Sequence, residues 1–278
     1  MDPSIPPRVL TIAGSDSGGG AGIEADLKTF TTLQVFGMAA ITSVTAQNTV
    51  GVFGVHDLPP ETVAQQIDVV AQDIGVDAAK SGMLSSAAII EAVADAITRN
   101  GIKKYVLDPV MISETGHRLL REDAVKSLKQ LLIPLSILIT PNIAEAQALT
   151  GIEVKDAESQ KDAARAIADL GADTVLIKGG HMTGPQSTDL LYGGGYFVEF
   201  SAPRIDTRNT HGTGCTYAAA IAAFLGHQQM LPDAIRYAKQ FVTEAIRRGF
   251  ALGRGAGPLN HFWPIQQEVR DMQAKGEQ

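Results

Sequence analysis

The chain has little cysteine: one residue in 278, Cys215. A lone thiol excludes an intrachain disulfide and any metal site built on a cysteine cluster, and it suits a reducing compartment. Basic runs are missing too. No stretch of Lys or Arg exceeds two, against a formal net charge of -7. Nucleic-acid binders carry a basic patch or stripe, so neither nucleic acid nor an anionic membrane is an expected partner. A locally positive pocket for a small anion stays open. No window approaches the ~18 uninterrupted apolar residues of a membrane-spanning helix. Residues 1–7 are polar and proline-rich, without the basic and apolar regions of a signal peptide. A soluble, cytoplasmic protein is the expectation.

Familiar catalytic signatures are also absent. No glycine-lysine pair precedes Ser or Thr, so the Walker phosphate loop is missing. Gly18, Gly19, Gly20 and Gly22 fail the G-x-G-x-x-G pattern, because Ile23 stands where the third glycine belongs. Neither H-E-x-x-H nor G-x-S-x-G occurs, which removes the usual support for zinc or serine hydrolases.

What is present is an alternation of strand and helix patterns. Strands are predicted at 9–14, 39–46, 77–82, 105–110, 135–140 and 173–178. Helices are predicted at 23–33, 60–74, 86–100, 122–132, 143–150, 157–170, 213–225 and 232–249. Segments 188–192 and 196–200 flank Gly193-Gly194-Gly195 and read as an antiparallel hairpin. The order is mostly βαβα, without a linker, an internal repeat or a low-complexity block. It predicts one α/β domain over 1–278, with 1–7 flexible and 265–278 a tail. Its mostly parallel central sheet carries helices on both faces and an antiparallel edge from the late hairpin. Ligands of such folds sit at the carboxyl ends of the strands, and polar residues cluster just after those ends.

Gly212-Thr213-Gly214-Cys215 opens a predicted helix. Free backbone N–H groups and the positive end of the helix dipole favour an anion there, and glycine lets a ligand approach the backbone closely. Such a cradle stabilises charge on a transferring phosphoryl group. Cys215 stands in the first turn, where a thiol pKa is expected below the free value of ~8.5, and its thiolate would serve as a general base. The alternative is plain: a lone Cys among Ala and Ile is otherwise a small buried hydrophobe.

Further blocks extend the pattern. They are Ala13-Gly14-Ser15-Asp16-Ser17-Gly18-Gly19-Gly20-Ala21-Gly22-Ile23 with Ala25-Asp26-Leu27-Lys28, Thr45-Ala46-Gln47-Asn48-Thr49, Lys80-Ser81-Gly82-Met83-Leu84, Asp108-Pro109-Val110-Met111, Thr140-Pro141-Asn142-Ile143-Ala144-Glu145-Ala146, Ile177-Lys178-Gly179-Gly180-His181 and residues 209–215. In this order, from about residue 9 to 250, the chain resembles the hydroxymethylpyrimidine and hydroxymethylpyrimidine phosphate kinases of thiamine synthesis. The resemblance implies a three-layer ribokinase-like fold, ATP with Mg²⁺, a homodimer, and two successive phosphorylations of 4-amino-5-hydroxymethyl-2-methylpyrimidine. The need for a monovalent cation stays open. Cys215 matches the subfamily's base where the wider superfamily commonly has Asp.

Roles follow by resemblance and residue chemistry together. Cys215, Gly212, Thr213 and Gly214 form the catalytic turn. Gln47 offers amide donors and an acceptor to an aminopyrimidine edge, with Asp26, Met83, Met111 and Gly14 as further substrate contacts. Lys178, Lys239, Asn142 and Thr210 are candidates for ATP phosphates. Glu145, with Asp108 behind it, is placed near the Mg²⁺–phosphate water shell, since hard oxygen ligands suit that ion. Each has a bland alternative: a helix-dipole partner for Asp26 and Glu145, core filling for the methionines, a solvated face for Lys239, and a backbone-capping loop residue for Gln47. His181 and His211 are expected in hydrogen-bonding roles. Asp16 and Ser17 are expected to help close the pocket, and 47–55 to act as a flap. Two other readings remain: a pyridoxal kinase on the same fold, and a catalytically silent pyrimidine sensor.

Overall fold

The computed structural model describes residues 5–112, 116, 119–180, 184–266, 268 and 272. Along the chain lie β1 (Arg8–Asp16), α1 (Gly22–Thr32), β2 (Phe36–Asn48), β3 (Gly51–Asp57), α2 (Pro60–Asp73), β4 (Ala78–Ser81), α3 (Ala87–Arg99) and β5 (Tyr105–Leu107). There follow α4 (Glu122–Ser127), which runs on through a π turn (Leu128–Leu132) and a 3-10 turn (Ile133–Leu135), then β6 (Leu138–Ile139), α5 (Ile143–Thr150), α6 (Ala157–Ala168) and β7 (Thr174–Ile177). The chain continues through β8 (Gln186–Gly193), β9 (Tyr196–Pro203), α7 (Thr213–Gly226) and α8 (Leu231–Arg247).

The strands form one sheet in the order β3-β2-β1-β4-β5-β6-β7-β8-β9. From β2 through β7 the neighbours are parallel. The β2–β3, β7–β8 and β8–β9 pairs are antiparallel. Period-two alternation feeds two cores. Leu10, Ile12, Ala79, Leu107, Ile139 and Ile177 face one side, against residues of α2, α3, α5 and α6. Val9, Ala78, Val106, Leu138 and Leu176 face the other, against α1, α7 and α8. This is the parallel sheet covered on both faces that the βαβα pattern predicts. Helix α7 lies in that second layer because its Ala-rich run buries on nearly every side.

The sequence reading missed β3. Its residues are half-buried or exposed, with Phe53 at 74%, so no buried face imposes apolar alternation. The segment read as a flap is an antiparallel ribbon in which β2 and β3 pair from Ser43 with Asp57 to Asn48 with Gly51. The sheet therefore has antiparallel strands at both edges. The parallel strands present their carboxyl ends together: Asp16, Gln47, Asp108, Asn142 and Lys178 all stand at or just beyond a strand end on this side.

Candidate active site

Helix α7 starts differently from its neighbours: its N-cap, Gly212, is left-handed at φ +86°, where those of α1 and α8 are extended. No side chain caps it. A Cβ on Gly212 would lie 1.8 Å from the Gly20 carbonyl oxygen, and one on Gly20 would lie 2.4 Å from His211 Cδ2. The turn therefore seats directly on the glycine loop before α1, which explains glycine at both positions. The Thr213 N–H and hydroxyl donate to the Thr210 carbonyl at 3.1 and 2.6 Å, and Thr216 N–H donates to Gly212 O at 2.9 Å. Between them, the N–H groups of Gly214 and Cys215 take no backbone partner among the described residues. A Cβ on Gly214 would meet Lys178 Nζ at 3.3 Å and Asp108 Oδ2 at 3.8 Å. The open helix start thus faces a cation and a carboxylate supplied by two other strands.

Lys178 follows β7 and donates to Asp108 Oδ1 at 2.8 Å. The same oxygen accepts from the Thr140 hydroxyl at 3.0 Å, which leaves Oδ2 on the Gly214 side. Glu145 is buried and lies in a reciprocal cap of α5. Asn142 Oδ1 accepts from Glu145 N–H at 2.9 Å, and Glu145 Oε2 accepts from Asn142 N–H at 2.8 Å. Burial pushes the Glu145 carboxyl well above the usual carboxylate range. Lys178 pulls it down, Asp108 pushes it up, and the Asn142 and Met111 N–H groups favour its charged form.

Cys215 retains some surface exposure, yet protein groups enclose its sulfur closely. Burial pushes its thiol up to about 11; Lys80 opposes this, Asp26 and Asp108 reinforce it, and a hydrogen bond from Gly22 N–H opposes it. This corrects the expectation of a depressed thiol pKa: at this helix start, desolvation outweighs the favourable dipole. Asp26 is likewise no dipole partner. It is fully buried, and its Oδ2 accepts from Lys80 Nζ at 2.9 Å and from the Thr11 hydroxyl at 2.6 Å. Burial raises Asp26 while Lys80 lowers it. Two donors converging on one oxygen mark the carboxylate as the ionised partner.

The other expected contacts gather around the glycine loop. Gln47 Nε2 and His211 Nε2 are 3.5 Å apart, and the same His211 nitrogen is 2.9 Å from Asp16 Oδ2. Asp16 also accepts from the N–H groups of Gly18, Gly20 and Ala21. Burial alone would raise the Asp16 carboxyl; His211 and these N–H groups outweigh it and hold the carboxyl below the ordinary value. Ser17 exchanges hydrogen bonds with the Gln47 backbone, so loop and ribbon are tied where the sequence places a closing element. Met83 is buried, with its sulfur 3.1 Å from where a Gly14 Cβ would stand, and it lines a cavity of about 270 Å³ with Val55, Asp57 and Leu120. Met111 is buried in the larger core, and its N–H faces Glu145.

Lys239 does not bond to the cluster itself but stands beside it, over the Tyr217 ring of α7 at 5.8 Å. Its ammonium is 2.7 Å from Asp189 Oδ2, whose other oxygen accepts from Gly179 N–H. It lines a groove of about 570 Å³ between β9 and α8 that shares no residue with the Cys215 surroundings. His181 lies outside the described residues. Sequence reasoning gave no role to Lys80, although it quoted the block containing it; a lysine between two alanines and a serine in a short strand was the available signal. It also assigned Asn142 without noting that Asn followed by Glu three residues later spells a capping box.

Among the described residues no group of three or more His, Cys, Asp or Glu side chains stands ready to hold a metal. Asp108 Oδ2, with Glu145 beyond it, fits an ion carried by phosphate oxygens and water, which takes only one or two carboxylates from the protein. An anion cradle at a helix start, at the carboxyl edge of a parallel sheet and beside a lysine, defines a small-molecule kinase of the ribokinase-like type. The chain belongs to the phosphomethylpyrimidine kinase family, whose model matches residues 16–260. It is 51% identical over 256 residues to the hydroxymethylpyrimidine/phosphomethylpyrimidine kinase of Bacillus subtilis, covering 92% of this chain and 94% of that one. It is also 51% identical over 263 residues to the thiamine biosynthesis bifunctional protein ThiED of Geobacter sulfurreducens, covering 95% of this chain. The chain spans only 54%, about half, of that relative's length. The solved ADP complex of Bacillus subtilis pyridoxal kinase superposes with a TM-score of 0.86 at 40% identity, covering 91% of this chain and 97% of that one.

Proposed function

We propose that the chain transfers a phosphoryl group from ATP to the hydroxymethyl oxygen of 4-amino-5-hydroxymethyl-2-methylpyrimidine, and then a second to the resulting monophosphate, in thiamine biosynthesis. The observation that carries this reading is the uncapped start of α7, with Cys215 in its first turn and Lys178 and Asp108 over Gly214. In the first transfer the substrate oxygen attacks the γ-phosphorus, the bond from that phosphorus to the ADP oxygen breaks, and the hydroxyl proton passes to the thiolate form of Cys215, whose own proton has already left to solvent. The free N–H groups of Gly214 and Cys215 and the Lys178 ammonium stabilise charge on the phosphoryl oxygens. Asp108, with Glu145 beyond it, would hold Mg²⁺ bound with the nucleotide, and the ion would supply positive charge against the phosphates. At rest the thiol keeps its proton at neutral pH, so the thiolate has to be favoured by nearby cations. In the second transfer the acceptor is a phosphate, already ionised near pH 7, and the base has little proton to take.

Gln47, at the end of β2 beside His211, and Met83, beside Gly14, support a planar ring with polar edges held between the β2–β3 ribbon and the glycine loop. The exposed apolar residues Val50, in the β2–β3 turn, and Phe53 and Val55 of edge strand β3 support a homodimer, since unprotected apolar strand edges invite pairing. Pyridoxal phosphorylation is the second reading, favoured by the close superposition on a pyridoxal kinase. An ATP-consumption assay over hydroxymethylpyrimidine, its phosphate and pyridoxal, side by side, separates the two. The first reading predicts turnover of both pyrimidines above that of pyridoxal; pyridoxal consumed far faster overturns it.

A further inference from the structure

We infer that Lys80 is a positioning residue for the first transfer: its ammonium, buried on the α7 side of the sheet and paired with Asp26, is the fixed positive charge that lets Cys215 carry a negative one. The inference rests on the proposed role of Cys215 as proton acceptor.

The placement follows from strand geometry. In β4, Ala78 packs into the α7-side core and Ala79 into the opposite one, so period-two alternation turns Lys80 toward α1 and α7. Both helices pack there: α1 contacts α7, and α7 contacts β4. Asp26 reaches Lys80 from α1, and both side chains are completely buried. Gly82 keeps the space clear, since a Cβ there would stand 2.9 Å from Lys80 Nζ.

A buried ion pair is a poor way to gain stability, because desolvation of two charges offsets their attraction. A pair of that kind beside a nucleophile or base points to function. The surroundings of the thiol name the function. The charged groups that face Cys215 are Lys80 from β4, Asp26 from α1, Asp108 after β5 and Lys178 after β7. Of the charges acting on the thiol, Lys80 is the largest, and it favours the thiolate. Asp26 in turn holds Lys80 protonated, its pKa raised despite complete burial. Asp26 Oδ1 is buried without a hydrogen-bond partner, so the ammonium of Lys80 is, among the described residues, the one charge that directly balances the Asp26 carboxylate.

Because the chain has one cysteine, the pH dependence of iodoacetamide alkylation reads Cys215 alone, without substrate. Lys80→Met is expected to move the thiol titration up by ~1 unit, about tenfold less thiolate at a given pH. Asp26→Asn is expected to move it down. Both substitutions break the same ion pair, so a merely structural role shifts both in one direction. The double variant K80M/D26N leaves no orphaned charge and guards against misfolding of the single variants; its titration is expected above the wild type, because the lysine outweighs the aspartate. An unmoved titration in K80M and in the double variant, or equal movement in both single variants, overturns the inference. Kinetics complete the test: K80M is expected to slow the first transfer at least tenfold more than the second. A moved titration with equal loss in both transfers overturns the base role of Cys215 instead, and the two failures are thereby distinguished.

Discussion

Helices α5 and α7 both begin at the carboxyl edge of the sheet, yet they meet solvent in opposite ways. At α5 the chain closes its own end: Asn142 and Glu145 satisfy each other's backbone N–H groups in a reciprocal cap. At α7 the N-cap is a left-handed glycine, no side chain reaches back, and the N–H groups of Gly214 and Cys215 stay open. The two helices share the same dipole physics, but only one leaves its positive end for a ligand. Since α1, α2 and α8 also lack a side-chain cap, what marks the α7 start is the open end together with its left-handed glycine and the Lys178–Asp108 pair over it.

The comparison breaks most severely at Gly212. In Gly212→Ala the left-handed backbone costs ~1–2 kcal/mol, and the new Cβ would sit 1.8 Å from Gly20 O, so the turn has to move. Both transfers are expected to fall to background in activity assays of the folded fraction, with a lowered melting temperature. Retention of either transfer above a tenth of wild type would show that the turn is not the shared cradle. Asn142→Ala opens the cap of α5. Loss of such a cap costs ~0.5–2 kcal/mol, or ~1–8 °C in melting temperature for a domain of this size. The Michaelis constant for ATP is expected to change less than threefold; a tenfold rise would show that Asn142 contacts the nucleotide beyond its capping duty. At the other end of α5, Gly151 is left-handed at φ +75° with open space around it. Gly151→Ala is expected to lose only the backbone strain, with activity intact, and so separates strain from the steric seat at Gly212.

A pH test sharpens the same contrast. The folded Cys215 thiol has a pKa above its unfolded value, about 11 in the fold. Its contribution to stability is therefore fully present below the unfolded pKa of ~8.5 and is lost as pH rises through the folded value. The difference in melting temperature between wild type and Cys215→Ala is expected to shift against the wild type between pH 8.5 and 11. A constant difference over that range would mean that the thiol is not held neutral.

Much of this was readable in the sequence. Strand ends at Asp108 and Lys178, and the helix start at Gly212, follow from local pattern, because buried parallel strands and glycine turns leave strong local signals. Strand β3 does not, since an exposed edge ribbon needs no apolar alternation. The ionisation of Cys215 was legible only in part: position in a first turn is local, but burial by α1 and the reach of Asp26 and Asp108 are tertiary. Lys80 and Asp26 are 54 residues apart, so their pairing belongs to the topology that sets β4 beside β1. The destination of Lys239, Asp189 on β8, is equally non-local.

The claim that Cys215 accepts the alcohol proton while the Gly212–Gly214 cradle serves both steps is tested most directly by Cys215→Ala, with the two transfers measured separately. The account predicts that the first transfer falls by ~10²–10⁴, the usual worth of general base catalysis, and the second by much less. Equal losses in both transfers, or a loss under threefold in the first, would contradict it.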